Sequence, residues 1–129
     1  MNYSTSPKAI QRRIFQHVIQ KPHTFFVIVQ PGFEETAYKE LLLLGLHSCT
    51  VTKGGIAFRG TLEQCYLINY YSRVATRVLM RLCRFKAYHF NEIYRTLKKF
   101  PWELYIHEQT IQVEVSVRKS KLHHTERIA

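Results

Sequence analysis

Two adjacent glycines, Gly54-Gly55, interrupt the stretch "HSCTVTKGGIAFRG" between two short runs that are rich in β-branched and apolar residues. Both positions can take positive φ, as a tight hairpin turn requires, so the two runs are expected to be antiparallel neighbours. A phosphate-binding loop would instead need a helix to follow directly, and none does. The hairpin fixes the reading of its flanks. Upstream, "FFVIVQ" is a short buried strand closed by Pro31-Gly32. Between it and the hairpin, "FEETAYKELLLLG" places Phe33, Ala37, Leu41 and Leu44 on one helical face. Glu34 and Glu35 fall in the first turn, where the helix dipole favours anions, and Gly45 marks a stop. Downstream, Thr61-x-x-Gln64 is a capping-box pair that opens a second helix. In that helix Leu62, Cys65, Tyr66 and Asn69 share a face, with Ile68 beside it. "RVLMRLCRFKAY" then alternates, with Val78, Met80 and Leu82 set against Arg77, Leu79 and Arg81, which predicts a strand. The order from Phe25 to about Lys86 is β-α-β-β-α-β: a ferredoxin-like unit of class α+β, with both helices on one face of an antiparallel sheet.

The flanking segments differ. Residues 1–24 hold a short basic helix, with Ile10, Ile14 and Val18 on one side and Gln11, Arg12, Arg13 and Gln16 on the other, ended by Pro22. It reads as a packing or RNA-contacting extension, as a mitochondrial presequence, or as a frayed tail. After residue 87, "HFNEIYRTLKKF" predicts a helix with Phe90, Ile93 and Leu97 inward and Arg95, Lys98 and Lys99 outward, followed by a short turn from Pro101-Trp102. "TIQVEVSVRKS" alternates cleanly, with Ile111, Val113, Val115 and Val117 on one face, and is expected to be a half-buried strand. Thr125 is a candidate N-cap of a further helix. The expected divisions are therefore an extension over 1–24, a ferredoxin-like domain over 25–87, and a second, partial domain over 88–129.

The net charge is +10 and is unevenly spread. Residues 1–24 carry four bases and no acid, residues 25–72 three bases and four acids, and residues 73–129 twelve bases and five acids. A near-neutral middle between basic segments suits a surface that meets a polyanion, and nucleic acid is the expected partner. The longest apolar stretches, Phe25–Val29 and Leu41–Leu44, are far shorter than a bilayer crossing. Three widely spaced cysteines, Cys49, Cys65 and Cys83, form neither a disulfide framework nor a CxxC pair, and are expected to be reduced core or near-core thiols. None pairs with a histidine in a catalytic motif. His123 and His124 are sequence neighbours and would point to opposite faces of a strand, which argues against a shared metal ion. Tyr66, Phe90, Tyr94 and Trp102 occupy apolar-face positions and are expected in cores, while Tyr70, Tyr71 and Tyr88 are left open.

Taken in order, "PGFEETAYKELLLLG", "KGGIAFRGTLEQCYLINYYSRVATRVLMRLCRF", "FNEIYRTLKKFPWELY" and "VEVSVRKSKLHHTERIA" resemble the N-terminal half of bacterial large-subunit rRNA guanine-N2 methyltransferases. The likeness covers residues 25–129. It implies a ferredoxin-like domain leading into a THUMP α/β domain, of which this chain holds the start. In that family the THUMP module grips structured RNA, and a separate Rossmann-like domain uses S-adenosylmethionine. That domain's Gly-rich loop and Asn/Asp-Pro-Pro-Tyr/Phe motif have no counterpart here, so the chain reads as an N-terminal fragment that binds no cofactor and is inactive alone. The resemblance implies a cytoplasmic protein with structured rRNA as partner.

The RNA-contacting residues expected are Arg118, Lys119, Ser120 and Lys121 with His123, His124 and Thr125. Cations at the end of a strand and the free N–H groups of a starting helix would make a phosphate-binding corner. Arg84 and Lys86 belong to a second track, with Arg73, Arg77 and Arg81, leading toward it. No catalytic, cofactor-binding or metal-binding residue is expected. Alternatives of other classes are a stand-alone RNA-binding adaptor, an interaction module with an acidic partner, and part of a THUMP-bearing tRNA-modifying enzyme.

Overall fold

The computed structural model describes residues 7–118, which fall into two compact units, one reaching to Leu82 and the other starting at Cys83. The first unit contains α1 (Pro7–Ile14), a π-helical turn (Phe15–Ile19), β1 (His23–Ile28), α2 (Glu34–Leu43), β2 (Cys49–Thr52), β3 (Gly55–Gly60), α3 (Leu62–Tyr71) and β4 (Arg77–Met80). The strands form one sheet in the order β2-β3-β1-β4, with every pairing antiparallel. This is the ferredoxin-like arrangement expected from the sequence.

Alternation along β1 decides which side of the sheet is buried. Phe25 and Val27 are almost fully inaccessible, whereas Phe26 and Ile28 are half-buried on the opposite face. Phe25 pairs with Phe58 of β3 and with Met80 of β4, and the two phenyl rings stack at 5.1 Å. Ala37 and Leu41 of α2, and Cys65 and Ile68 of α3, close this side into a single core with Ile56 and Val29. Each of the fully buried side chains, Phe25, Leu41, Ile56, Ile68 and Val27, contributes on the order of 1.5–3 kcal/mol by leaving water.

Local signals behave as the sequence dictates at several points. Thr61 and Gln64 form a complete capping box: the Thr61 side chain accepts from the Gln64 amide, and Gln64 Oε1 accepts from the Thr61 amide at 3.0 Å. Gly45 takes φ +87° and ends α2. The hairpin turn itself is Lys53-Gly54, since Thr52 pairs with Gly55. Of the two glycines only Gly54 is left-handed, at φ +83°. Gly55 is required for another reason: a Cβ there would strike the Val27 carbonyl and lie 2.5 Å from the Phe26 ring.

The π-helical turn Phe15–Ile19 packs onto the first unit. Val18 is buried, the π-helical turn touches α3, and His23 Nε2 donates to the Val18 carbonyl at 2.8 Å. Of the readings offered for this segment, packing is the one these contacts favour. Phe15 and Ile19 remain about half exposed.

Two carboxylates of α2 hold the loops around it. Glu34 accepts from the amides of Gly32 (2.7 Å) and Gly54 (3.0 Å), tying the β1–α2 loop to the hairpin. Glu40 accepts from the Ser72 hydroxyl (2.8 Å) and the Arg73 amide (3.0 Å), tying the end of α3 to α2. The Glu34 carboxyl is held below the usual carboxylate range, chiefly by the Gly54 N–H, then by its own backbone N–H and that of Gly32, with the Lys53 ammonium adding to the effect.

Two of the sequence-based core assignments are corrected here. Tyr66 on α3 is 63% exposed, because the buried stripe passes through Cys65 and Ile68 and leaves Tyr66 on its rim. In the second unit Tyr94 is 65% exposed, for the same reason relative to Ile93 and Leu97.

Two outcomes follow. Phe25→Ala should lower unfolding stability by about 3–5 kcal/mol, read from urea denaturation. Glu34 has a depressed carboxyl in the folded state, so its stabilisation is present above the unfolded carboxylate value of about 4.3 and is lost as pH falls through the lower folded value. Glu34→Gln should therefore lower Tm at pH 7, and the gap between variant and parent should close on acidification below that folded value.

Candidate nucleic-acid interface

The second unit is built on α4 (Phe90–Lys99) and a 3-10 turn (Trp102–Leu104). The Glu92 carboxylate accepts from the Tyr88 amide at 2.7 Å and so closes the start of α4. Phe90, Ile93 and Leu97 are half-buried, and Trp102 Nε1 donates to the Leu97 carbonyl at 2.7 Å. Phe100 packs its ring against both Trp102 and Tyr105, and Leu104 between them in sequence is buried. Burial pushes the Tyr105 phenol up, and the nearby Cys83 adds to that shift. The opposite face of α4 presents Arg95, Lys98 and Lys99 to solvent, with the Lys98 ammonium 5.6 Å from the centre of the exposed Tyr94 ring. Lys98 and Lys99 lie in the last turn, where the helix dipole favours cations. Tyr94 sits one position from Ile93 in sequence but beside the basic residues Arg95 and Lys98, which is the local signal for its exposure.

The expected strand over 111–117 does not form among the described residues. Ile111 and Val113 are 57% and 60% exposed, and no strand is formed over the segment. Alternation specifies a face, but a strand also needs a neighbour to satisfy its N–H and C=O groups, and no described segment supplies one.

The expected RNA-contacting residues are distributed as follows. Arg118 is exposed at the last described position. Lys119, Ser120, Lys121, His123, His124 and Thr125 lie outside the described residues. Arg84 and Lys86 are exposed in an irregular stretch of the second unit. The rest of their track belongs to the first unit and does not run along one line. Arg73 sits in the α3–β4 loop, whereas Arg77 and Arg81 share the sheet face turned away from the helices. On that same face is Arg59 of β3, a residue that single-segment reading passed over because β3 is neighbour to β4 only through β1.

Comparison with known proteins fits this two-unit layout. Residues 24–79 match the family model of the RlmL ferredoxin-like domain, and residues 87–129 match that of the THUMP domain. The chain belongs to the RlmL ferredoxin-like and THUMP families. It is 34% identical over 105 residues to the ribosomal RNA large subunit methyltransferase K/L of Syntrophotalea carbinolica, a match that takes in 81% of this chain and 15% of that protein. The crystal structure of SMU.472, named a methyltransferase and complexed with SAH, superposes with a TM-score of 0.73 at 29% identity, over 85% of this chain and 29% of the other. A Listeria monocytogenes structure described as a predicted N6-adenine-specific DNA methylase gives a TM-score of 0.58 at 32% identity, over 67% of this chain and 22% of that one. The chain thus spans well under a third of the length of these relatives.

The described parts of the ferredoxin-like and THUMP segments do not fit S-adenosylmethionine. Nucleoside cofactors of that kind are held outside the carboxyl ends of parallel strands, at a Gly-rich turn with free N–H groups. Here the sheet is antiparallel throughout. The glycine after β1, Gly32, has its N–H already engaged by Glu34. A hollow of about 340 Å³ lined by Gln30, Phe33, Arg73, Val74, Ala75 and Thr76 offers no acidic group for a ribose.

The thiols are no better suited to catalysis. Burial raises both Cys49 and Cys65, which keeps them protonated, and Cys49 donates to the Leu46 carbonyl. Cys83, expected near a core, is exposed. It sits in the irregular link where no helix or strand covers it. A thiol titration with a disulfide reagent near neutral pH should therefore modify Cys83 rapidly in the native chain, with Cys49 and Cys65 reacting only on denaturation.

Proposed function

We propose that this chain is the RNA-binding N-terminal part of an S-adenosylmethionine-dependent rRNA guanine-N2 methyltransferase. It positions structured RNA for a catalytic domain that lies elsewhere in the full protein. The observation that carries this reading is the order of domains, a THUMP match directly after an RlmL ferredoxin-like match, together with the likeness to a relative named for large-subunit rRNA methylation. The SAH in the SMU.472 structure supports S-adenosylmethionine as the methyl donor of the whole protein. The bacterial relative supports a cytoplasmic setting.

Chemistry in the chain supports capture rather than transformation. The outer face of α4 offers Arg95, Lys98 and Lys99, and Arg118 leads into the basic segment 118–125. Such groups bind phosphate oxygens, fix orientation and release counterions, without reading sequence. A structured RNA would be recognised by the spacing of its phosphates and by its shape.

Replacing Arg118 and Lys119 together by alanine should weaken binding of a structured rRNA fragment and reduce the slope of log K against log salt by about two. An unchanged affinity and slope would remove the 118–125 corner from the interface. Comparison of rRNA and tRNA fragments in the same assay separates the rRNA reading from that of a tRNA-modifying enzyme.

A further inference from the structure

Helices α2 and α3 pack on one side of the four-stranded sheet, and among the described residues the other side stays partly open. Alternation places Phe26, Ile28 and Leu79 on that open side, along β1 and β4. Leu79 is 44% exposed, and Phe26 and Ile28 are half-exposed. Arg59, Arg77 and Arg81 surround them. Arg59 and Arg81 flank Thr24 at one end of β1, the first as its β3 partner and the second through the bond from the Arg81 amide to the Thr24 carbonyl. Arg77 pairs with Ile28 at the other end. Four residues of strand separate Arg77 from Arg81, roughly 13 Å.

Two further features make this a site rather than a bare sheet. The Phe26 ring lies across β3 in the space that a Cβ at Gly55 would fill, so the missing side chain of Gly55 fixes where the ring rests. Beside it, a hollow of about 270 Å³ opens where β1 meets β4, lined by Thr24, Phe25, Phe26, Leu79, Met80 and Arg81. The charge is also segregated. The acids of residues 7–82 are Glu34, Glu35, Glu40 and Glu63, and all four are on α2 or α3. The open face therefore combines an apolar centre with a rim of arginines and carries no carboxylate.

We propose that this face binds a short single-stranded stretch of RNA, with Phe26 as a stacking surface for a base and Arg59, Arg77 and Arg81 on flanking phosphates. The proposal deepens the RNA-binding reading above and rests on it for the class of ligand. A duplex hides its base faces and would leave Phe26 and Leu79 without partners, whereas an unpaired segment supplies flat apolar rings and phosphates together. A structured RNA carries such segments in its loops and ends.

Fluorescence anisotropy on the 129-residue chain tests this, with a labelled ten-nucleotide single strand and a blunt RNA duplex as probes. Phe26→Leu keeps an apolar side chain but removes the ring, and should weaken single-strand binding about tenfold while leaving duplex binding unchanged. The combined Arg59→Ser, Arg77→Ser and Arg81→Ser variant alters only exposed positions, so it should fold as the parent does and lower the single-strand salt slope by about two. If Phe26→Leu lowers Tm by more than a few degrees, the arginine variant decides alone. Single-strand affinity and slope unchanged in the arginine variant would overturn the proposal while duplex binding, and with it the broader reading, stands. Failure of the parent chain to bind either probe would overturn both. Self-association abolished by Leu79→Lys, with RNA affinity untouched, would assign the face to a second copy and overturn the proposal as well.

Discussion

β1 is the strand on which the first unit depends. It is paired along both edges, to β3 on one side and β4 on the other, and it contributes Phe25, Val27 and Val29 to the core. A central strand whose two faces differ must be read in one register: a slip of one residue would put Phe26 and Ile28 under the helices and Phe25 and Val27 in water. The stacking of Phe25 on Phe58 and the closure by Ile68 and Leu41 make that slip prohibitive. With the register fixed, the identity of the uncovered face is fixed too. The arginines of β3 and β4 reach the same surface although they are separated by α3 in sequence.

The acids have a structural part that bears on function. Glu34 and Glu40 face backbone N–H groups of loops, and Glu92 does the same at the start of α4. A carboxylate accepting from backbone amides is anchored in place, and its charge is partly offset by those dipoles. In the described part of the first unit all four acids lie on α2 or α3, and two of them, Glu34 and Glu40, are also anchored to loop amides. A surplus of base over acid becomes useful for binding a polyanion when the two signs are separated in space, and here the placement of the acids on the helices separates them.

Much of the first unit was legible in the sequence because its signals are local. The capping box at Thr61 and Gln64, the stop at Gly45, a hairpin at the Gly-Gly pair (its turn one residue earlier than expected, at Lys53-Gly54) and the alternation of Arg77–Met80 each involve a few neighbouring residues. What was not legible depends on contacts between segments. Gly55 looked like a turn residue, but its role is to admit the Phe26 ring from an adjacent strand. Tyr66 is one position from the buried Cys65 and Tyr94 one from the half-buried Ile93, and a 100° step around a helix is enough to move a ring from an inner face to the rim. Arg59 and Phe26 gained meaning only when the sheet order brought β3, β1 and β4 together. Among the residues expected to contact RNA, Arg84, Lys86 and Arg118 are exposed, as such a role requires, and the remainder fall outside the described residues.

The segment around residues 111–117 shows the limit of period as a guide. Its alternation matches that of β4, yet β4 forms a ladder and this segment does not. The difference lies in the partner. β4 has β1 beside it, already committed to β3 on its far edge, so adding β4 satisfies backbone groups on both strands and covers Val78 and Met80. Ile111 and Val113 find no such edge among the described residues and stay in water. Their exposure is itself informative, because an apolar row facing solvent beside an open row of N–H and C=O groups is a surface that favours strand addition.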